Sequence, residues 1–361
     1  MWNSLSGSQP FLRHEFLQAL EDSGSVGAGT GWSPEPLALY QHGTLIGTVP
    51  LYRKRHSYGE YVFDWAWAQA YGRAGLNYYP KLVAAVPFTP VTGPRLLAGP
   101  NGASKTLTET AVQAICARAQ ATCASSVHWL FPSTADCVRL AEAGLIRRTG
   151  FQFHWENRGW TGFADYLEAF SAPKRKNIKR ERRAVAEACV QYTVHEGQAV
   201  SETLWDDFYD LYLTTIFKYG GTPYLTREFF SRIGATVPGI VLVHARRGQE
   251  SIAAALFFRD QDTLYGRYWG TRRELSGLHF ETCYYQAIDY CLAHGLNRFE
   301  AGAQGGHKLS RGFLPTPTYS MHWLDHHEFQ SAVADFLDRE NAGLEITMHE
   351  LNEHSPFRAP S

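Results

Sequence analysis

Two β-rich runs joined by a short turn stand at the centre of the second half of the chain, Val241-Leu-Val-His-Ala245 and Ser251-Ile-Ala-Ala-Ala-Leu-Phe-Phe258. The connecting Arg-Arg-Gly-Gln contains a glycine, which is typical of a β-hairpin. A third run, Thr263 to Trp269, predicts a strand that pairs with the hairpin. A helical pattern from about 279 to 294 ends at Gly295, and a strand-like Arg-Phe-Glu-Ala follows from residue 298. These signals predict a β-β-β-α-β unit.

The first half of the chain repeats this pattern. Two β-rich runs at 37–41 and 44–52 predict a hairpin, and a helix at about 104–122 precedes a strand at 126–131. Within these elements, Leu45–Tyr52 aligns with Ser251–Phe258, which indicates a duplicated unit. We therefore predict an α+β protein with its active cleft between the two halves.

The repeat places the domain boundary near residue 160. Residues 1–160 form the predicted N-terminal domain, with an aromatic, Gly- and Pro-rich insertion near 58–97. Residues 161–361 form the predicted C-terminal domain, which carries a basic helix at 174–183 and a C-terminal helix. A length of 361 residues suits two domains.

Composition excludes several classes of protein. The chain has 34 Lys and Arg against 35 Asp and Glu, a formal net charge of -1, so no global charge directs it to DNA. The apolar runs are strand-sized, and the first 20 residues lack the apolar core of a signal peptide. We expect a cytoplasmic protein without a transmembrane segment and without sequence-specific DNA binding.

Seven stretches spread over nearly the whole chain carry a resemblance to one family. They are Ser57–Trp65, Tyr78–Leu82, Val86–Leu96, Lys174–Arg183, Tyr265–Gly270, His279–Glu281 and Phe299–Gly305. In them the chain resembles the bacterial FemAB-like family of predicted N-acyltransferases, which is related to the Fem-type aminoacyltransferases of peptidoglycan synthesis. The resemblance implies tandem GNAT-like (acyl-CoA N-acyltransferase) domains with mixed central sheets flanked by helices. It also implies transfer of an acyl or aminoacyl group to an amine.

The sequence does not decide whether the activated carrier is acyl-CoA or aminoacyl-tRNA. Either one would be a co-substrate and not a tightly bound cofactor. Acetyl-CoA-dependent GNAT enzymes cradle pyrophosphate in a Gln/Arg-x-x-Gly-x-Gly/Ala turn, and the corresponding Gly270–His279 lacks that spacing. Many Fem enzymes that use tRNA have a long charged helical hairpin, and the sequence contains no such heptad segment.

The segment Phe299-Glu-Ala-Gly-Ala-Gln-Gly-Gly-His-Lys308 is the strongest candidate for the chemistry. Acyl transfer to an amine needs a base for the amine proton and donors for the developing oxyanion. Glu300 and His307 are the candidate bases, and Glu281, in the first turn of the predicted helix, is a third. Candidate substrate-binding residues in the same region are Arg267, Gln304, Lys308 and Arg311. A charge pair with Arg267 would explain Glu300 equally well. For Glu281, the ordinary preference of Glu for a helix start is favoured over a role in the chemistry.

Basic residues form two candidate phosphate contacts for the donor. Residues 174–183 hold seven basic side chains in ten, and two arginines follow the third predicted strand. The candidate donor-binding residues are Lys174, Arg175, Lys176, Arg180, Arg272 and Arg273. Ordinary solvation of a charged helix face is the alternative.

The aromatic insertion predicts a second group of substrate-binding residues. These are Tyr58, Glu60, Asp64, Trp65, Lys81 and Arg95. Asp64 lies beside Trp65 and is expected to be partly desolvated, which perturbs a carboxyl pKa. The group would hold an amine acceptor, either a small molecule or a peptide, or it would simply pack as an interdomain core.

No metal site is predicted. His322, His326 and His327 are close in sequence. His322 lies on a predicted strand, and the other two follow at the start of a predicted helix, so the three side chains need not converge on one metal ion. Because no activated nucleophile is evident, we expect direct attack of the amine on the acyl carbon. The alternative function is a non-catalytic binding protein that keeps the fold and holds a peptide or lipid-linked ligand in an aromatic cleft.

Overall fold

The computed structural model describes residues 1–303 and 305–358. Contacts within the chain define two compact units, and the chain passes between them three times. Unit 1 comprises Met1–Phe151 and Pro317–Met348, and unit 2 comprises Gln152–Thr316 and His349 onward. Each unit is thus built from two separate segments of the chain. The division into domains at residue 160 stays a prediction.

The strands are numbered in chain order. They are β1 Trp32–Pro34, β2 Leu37–Gln41, β3 Thr44–Val49, β4 Leu51–Lys54, β5 Lys81–Ala84, β6 Ser126–Leu130, β7 Ile146–Glu156, β8 Gln191–Glu196, β9 Ile240–Arg247, β10 Glu250–Arg259, β11 Thr263–Thr271, β12 Arg298–Glu300 and β13 Leu314–Leu324.

The helices are numbered likewise. They are α1 Trp2–Ser6, α2 His14–Asp22, α3 Trp65–Arg73, α4 Lys105–Ala121, α5 Thr134–Glu142, α6 Phe163–Glu168, α7 Ala172–Glu187, α8 Glu202–Lys218, α9 Arg227–Thr236, α10 Leu278–Phe280, α11 Gln286–His294 and α12 His327–Glu353.

Unit 1 orders its strands β1-β4-β5-β6-β13, with β2 and β3 as a separate hairpin. The pair β5/β6 is parallel, and α4 lies between these strands in the chain, as a parallel connection requires. The other neighbours, β4/β5 and β6/β13, are antiparallel. The central strands β5 and β6 are buried along their whole length, so neither face of these strands is open to solvent.

Unit 2 orders its strands β7-β12-β11-β10-β9-β8. Here β11/β12 is the parallel pair, and α10 and α11 lie between the two strands in the chain. Strand β11 approaches α8 closely at Gly270, where an added Cβ would lie 1.8 Å from the carbonyl oxygen of Leu211. Only glycine fits this position, so the sequence places β11 and α8 in direct backbone contact.

A π-helical turn interrupts the helix that connects β11 to β12. Residues Glu281–Tyr285 form this turn between α10 and α11, and all five are buried. Helix α11 ends at Gly295, which has a φ of 66° in the left-handed region. A π turn inserts an extra residue into a helix and is found frequently at functional sites.

The structure confirms the tandem α+β organisation that the sequence predicts. The hairpins β2/β3 and β9/β10 and the helices at 105–121 and 134–142 all occur where expected. The sequence missed α3 and β5, which lie inside the aromatic insertion, and it missed the π turn. Within residues 1–303 and 305–358, no helix is both long and apolar enough to cross a membrane.

Candidate functional site

A glycine-rich loop after β12 forms the centre of the candidate site in unit 2. Gly302, Gly305 and Gly312 have φ angles of 78°, 111° and 82°, which other residues rarely adopt. Between them, residues Gly306–Arg311 form a 3₁₀ helix. An added Cβ on Gly305 would lie 3.0 Å from Cε1 of His307, so the glycine lets the imidazole fold back over the loop.

His307 is the most accessible titratable group of this loop. Its Nε2 lies 2.9 Å from the hydroxyl of Tyr284, which the π turn supplies. The ring also packs against His279 and Phe280, at centroid distances of 5.8 and 5.7 Å. Burial, and then the charges of Arg311 and Lys308, lower the pKa of His307. The imidazole is therefore neutral near pH 7 and can accept a proton.

Lys308 presents a buried ammonium group beside His307. Its side chain is 3% exposed, and Nζ donates a hydrogen bond of 2.8 Å to the carbonyl oxygen of Gly302. Burial lowers the pKa of Lys308 to about 8, with a smaller opposing effect from Cys283 and a lowering by Arg267. At neutral pH the group still carries its charge and can stabilise a negatively charged oxygen.

Arg311 connects the loop to helix α7. Its Nη1 donates to the carbonyl oxygen of His307 at 2.7 Å, and its Nη2 donates to Glu181 at 2.7 Å. The guanidinium lies over the Phe280 ring, 3.3 Å from its centroid. Glu181 also accepts a hydrogen bond from the Tyr285 hydroxyl. These contacts hold the loop in place, so Arg311 is a positioning residue for His307.

The other two candidate bases lie in different surroundings. Glu281 is buried and pairs with Arg182 of α7 at 3.1 Å, while Gln286 donates to it at 2.8 Å. Burial raises the pKa of Glu281, against the opposing charge of Arg182. Glu300 is buried at the end of β12, opposite Tyr265 of β11 and His154 of β7. The structure thus joins His307, Lys308 and Arg311, and it places Glu281 in a separate ion-pair group.

An open groove of about 490 Å³ adjoins this cluster. His279 lines it, and the same imidazole packs 4.6 Å from the ring of Trp269. Residues from the end of α8, the end of β11 and the start of α10 form the rest of the walls. The groove has a size that suits a small organic ligand.

The predicted phosphate-binding residues divide into two groups. On α7, the predicted phosphate contacts Lys174, Lys176 and Arg180 are exposed, and Arg175 is half-buried. The half-buried Glu181 and Arg182 of the same helix instead contact Arg311 and Glu281 of the candidate site, and Asn177 donates to Glu181. In the loop after β11 both arginines contact carboxylates. Arg272 lies 3.1 Å from Asp210, and Arg273 lies 2.9 Å from Glu250. The exposed face of α7 is therefore the stronger cationic surface.

Unit 1 contains a buried cluster of charges within the predicted aromatic insertion. Lys81 is 0% exposed, and its Nζ donates to Glu60 at 2.7 Å, to Ser57 at 2.9 Å and to Asp64. Burial raises the pKa of the Asp64 carboxyl, but the charge of Lys81, the charge of His128 and hydrogen bonds to the carboxylate together outweigh it, and the net pKa is lower than usual. Burial raises the pKa of Glu60 to about 7 in spite of Lys81.

A second lysine in this cluster was not a sequence candidate. Lys54 is also 0% exposed; its Nζ lies 4.0 Å from Glu60, donates to the Tyr58 carbonyl oxygen at 3.1 Å and lies 3.7 Å above the Trp32 ring. Burial lowers its pKa to about 7. Lys54 lies two residues after the buried Tyr52 on the same strand, β4, and this spacing of two was the signal available for finding it.

Hydrogen bonds extend the cluster to two histidines. The Tyr78 hydroxyl donates to Asp64 at 2.6 Å and lies 3.2 Å from Nε2 of His128. The Nδ1 atoms of His128 and His322 lie 2.7 Å apart. Burial lowers the pKa of both imidazoles, that of His128 to about 3. His322 therefore joins a polar network with His128, and no group of three or more metal-ligating side chains occurs among the described residues.

The side chains of the remaining candidates of the insertion do not join this cluster, which Tyr58 contacts only through its carbonyl oxygen. Arg95 is buried and donates to backbone carbonyl oxygens, including that of Leu130 at 2.8 Å and that of Val91 at 2.6 Å. Tyr58 and Trp65 are 58% and 38% exposed, and their rings contact each other edge to face. Of the candidates in the other predicted group, on the glycine-rich loop of unit 2, Gln304 lies outside the described residues.

The two units share an arrangement of elements that defines the class of the protein. In each, a helical connection joins a parallel pair, β5/β6 in unit 1 and β11/β12 in unit 2, and antiparallel strands flank that pair. This is a tandem GNAT-like fold. A family model described as "peptidoglycan biosynthesis/recognition" matches residues 1–359. The chain belongs to this FemAB-like family.

Solved structures agree with this fold. FemX superimposes with a TM-score of 0.56 at 10% identity, covering 92% of this chain and 96% of its own. L-PGS from Bacillus licheniformis gives 0.54 at 10% identity, with 98% and 99% covered. The C-terminal domain of an Agrobacterium fabrum protein assigned as a lysylphosphatidylglycerol synthetase gives 0.55 at 11% identity, with 89% and 95% covered. No curated protein matches the sequence.

Proposed function

We propose that the protein is an N-acyltransferase that moves an aminoacyl group from tRNA to an amine of a peptidoglycan precursor. The His307–Tyr284 pair on the glycine-rich loop of unit 2 carries this proposal, because it puts an accessible neutral imidazole beside a buried ammonium group. The family's description supports a precursor of peptidoglycan as the acceptor. FemX supports the fold in which this chemistry would occur.

His307 acts as the base in this proposal. Nε2 of His307 and the Tyr284 hydroxyl share a hydrogen bond, and in the tautomer that donates Nε2–H to the hydroxyl, Nδ1 is the basic nitrogen. The amine nitrogen attacks the ester carbon, a C–N bond forms, and the C–O bond to the carrier breaks. The amine proton passes to His307 and then to the departing oxygen of the carrier. Lys308 stabilises the negative charge that develops on the carbonyl oxygen.

The exposed cations of α7 favour a polyanionic carrier. Lys174, Lys176 and Arg180 are exposed on one helix, and a tRNA offers many phosphates to such a surface. The arginines of the 270–279 loop already contact Asp210 and Glu250, so they are poorly placed to hold a CoA pyrophosphate. Acyl-CoA is the second donor to be compared.

A transfer assay with three donors tests the proposal. The purified chain is incubated with a muramoyl-pentapeptide acceptor and, separately, with a pool of radiolabelled aminoacyl-tRNA, acetyl-CoA or a long-chain acyl-CoA. We expect label in the acceptor only from aminoacyl-tRNA. Transfer from a CoA ester alone would contradict the choice of donor, and no transfer from any of them would contradict the assignment as an enzyme.

A non-catalytic binding role is the second candidate, because the family's description includes recognition. In that case the acceptor would raise the melting temperature of the chain by binding the folded state, and the three donors would give no turnover. Binding with turnover would exclude this role.

A further inference from the structure

A pocket of about 410 Å³ lies in unit 1, and its lining residues fall between Trp2 and Tyr52. Helices α1 and α2, the segment from β1 to β2 and the junction of β3 with β4 form its walls. We propose that this pocket binds a small organic cation, which carries an ammonium group on an aliphatic body. This binding site is separate from the proposed transfer reaction and does not rest on it.

The charge of the pocket favours a cation. Glu21 and Asp22, at the end of α2, both line it, whereas none of the described lining residues is a lysine or an arginine. Burial, and then the charge of Asp22, raise the pKa of the Glu21 carboxyl, and the charge of His14 lowers it. A bound cation would relieve the repulsion between the two carboxylates, whereas an anion would add to it.

A buried hydroxyl group in the pocket needs a hydrogen-bond partner. Tyr52 is 3% exposed, and its ring packs edge to face against Trp32 at a centroid distance of 5.5 Å. Within residues 1–303 and 305–358, the Tyr52 hydroxyl has no hydrogen-bond partner. Burial, and then the charge of Glu21, raise the pKa of Tyr52, so the phenol stays protonated beside this carboxylate. An ammonium group held by Glu21 can donate the missing hydrogen bond to the phenol oxygen.

Apolar side chains form much of the wall. Pro34, Pro36 and Pro50 line the pocket, and proline has no backbone N–H to donate. This part of the wall therefore offers an anionic group no backbone donor, while it can cover the methylene groups of a ligand. Leu17 and Leu51, which are 7% and 3% exposed, extend the apolar surface. An aliphatic body on the cation matches these walls.

An indole ring gives the ammonium group a further favourable surface. Trp2 lines the pocket, and its Nε1 donates a hydrogen bond of 2.7 Å to the carbonyl oxygen of Leu12. This bond fixes the ring and leaves its faces for contact with a ligand. A cation within about 6 Å of an indole face is attracted by the ring's electron density. The carboxylates, the phenol and the indole thus favour the same charged group.

Three probes with the same eight-carbon chain test the charge of the ligand. They are 1,8-diaminooctane, 1,8-octanediol and octanedioate, each titrated into the full chain at pH 7.5 by calorimetry. We expect the diamine to bind about tenfold more tightly than the diol, because a carboxylate and an aromatic ring each contribute to its binding. Octanedioate should not bind. Equal Kd values for the diamine and the diol, or tighter binding of octanedioate, would overturn the proposal.

Variants of two lining residues locate the site. Glu21→Gln should weaken binding of the diamine about three- to tenfold and leave binding of the diol unchanged. Tyr52→Phe should weaken the diamine about two- to fivefold. Because the Tyr52 hydroxyl has no partner in the described protein, this variant should keep the melting temperature of the unchanged chain.

Glu142→Gln is the matched control and should leave the Kd of the diamine unchanged. Its carboxylate is exposed on α5 and lies 3.5 Å from Lys105, outside the pocket. If Glu21→Gln and Glu142→Gln weaken the diamine equally, the diamine binds only as a general counter-ion and the site is wrong. An unchanged Kd in both Glu21→Gln and Tyr52→Phe would also overturn the inference.

Discussion

The same kinds of side chain meet in both units, and burial gives them different roles. In unit 1, Lys81 contacts two carboxylates and is 0% exposed. In unit 2, Lys308 is almost as buried but contacts a carbonyl oxygen, and His307 beside it is exposed. The unit 1 charges satisfy one another, whereas the unit 2 loop keeps one base within reach of a ligand.

This difference separates a structural charge cluster from a reactive one. A buried ion pair costs desolvation that its Coulomb attraction roughly returns, and removing one partner is expensive. A catalytic base must instead meet its substrate within hydrogen-bond distance. We therefore expect substitutions in unit 1 to change stability and substitutions in unit 2 to change turnover.

The largest expected effect is on turnover in unit 2. His307→Ala should lower kcat for aminoacyl transfer about 100- to 10,000-fold, the usual contribution of a general base. Tyr284→Phe, which removes the hydroxyl at 2.9 Å, should lower it less. His349→Ala, at a 79% exposed histidine, is the control. Full activity of His307→Ala in steady-state kinetics would show that the base is elsewhere.

The next effect is on the stability of unit 1. Lys81→Met leaves two buried carboxylates without their shared cation and should lower the free energy of unfolding by about 3–5 kcal/mol. Urea denaturation measures it. Lys105→Met removes a lysine that is 65% exposed and lies 3.5 Å from Glu142, and it should cost less than about 1 kcal/mol. Equal losses in both variants would contradict a structural role for the buried cluster.

A smaller effect concerns the pH dependence of stability. The pKa of Glu60 is raised from 4.5 to about 7 in the folded chain, chiefly by burial. Between these values the folded state holds a proton that the unfolded state has lost, so stability falls as pH rises, by up to about 1.4 kcal/mol per pH unit. Glu60→Gln should remove this part of the slope in urea titrations from pH 4.5 to 7. An unchanged slope would mean that Glu60 is already ionised.

The smallest effect concerns the outer face of α7. Lys174→Gln, Lys176→Gln and Arg180→Gln should each reduce the salt dependence of tRNA binding, by about one in the slope of log K against log salt per lost phosphate contact. Filter binding from 50 to 200 mM salt measures it. Lys105→Gln, on unit 1, is the matched control. If the variants give the same slope as the unchanged chain, α7 is not part of the surface that binds tRNA.

Local patterns in the sequence were sufficient for much of the fold. Alternation and turn residues predicted both hairpins, and Gly295 predicted the end of α11, because these depend on neighbouring residues. The π turn and the return of β13 to β6 depend on packing between distant segments, and periodicity carries no signal for them. The sequence therefore predicted two domains in series, while each unit is assembled from two segments.

Chemical type alone selected several residues of the candidate site, and their roles stay a prediction. His307, Lys308 and Arg311 were predicted from one short loop, since their spacing brings them together. Tyr284 was missed because it lies 23 residues away and only the π turn directs it to His307. Asp64, as a perturbed carboxylate, and Lys81 were both predicted within the insertion. Their ion pair and the second lysine, Lys54, depend on the pairing of β4 with β5, which sequence reasoning did not supply.

The two-segment construction of unit 1 has a consequence for biosynthesis. Strand β6 pairs with β13, and His128 contacts His322 across 194 residues of chain. At about 5–20 residues per second, a ribosome needs roughly 10–40 s to make the intervening chain. During that time the edge of β6 that later pairs with β13, and which includes Trp129, has no partner strand, while nearly all of unit 2 emerges. A chaperone that covers strand edges would thus act on unit 1 until translation has passed residue 324.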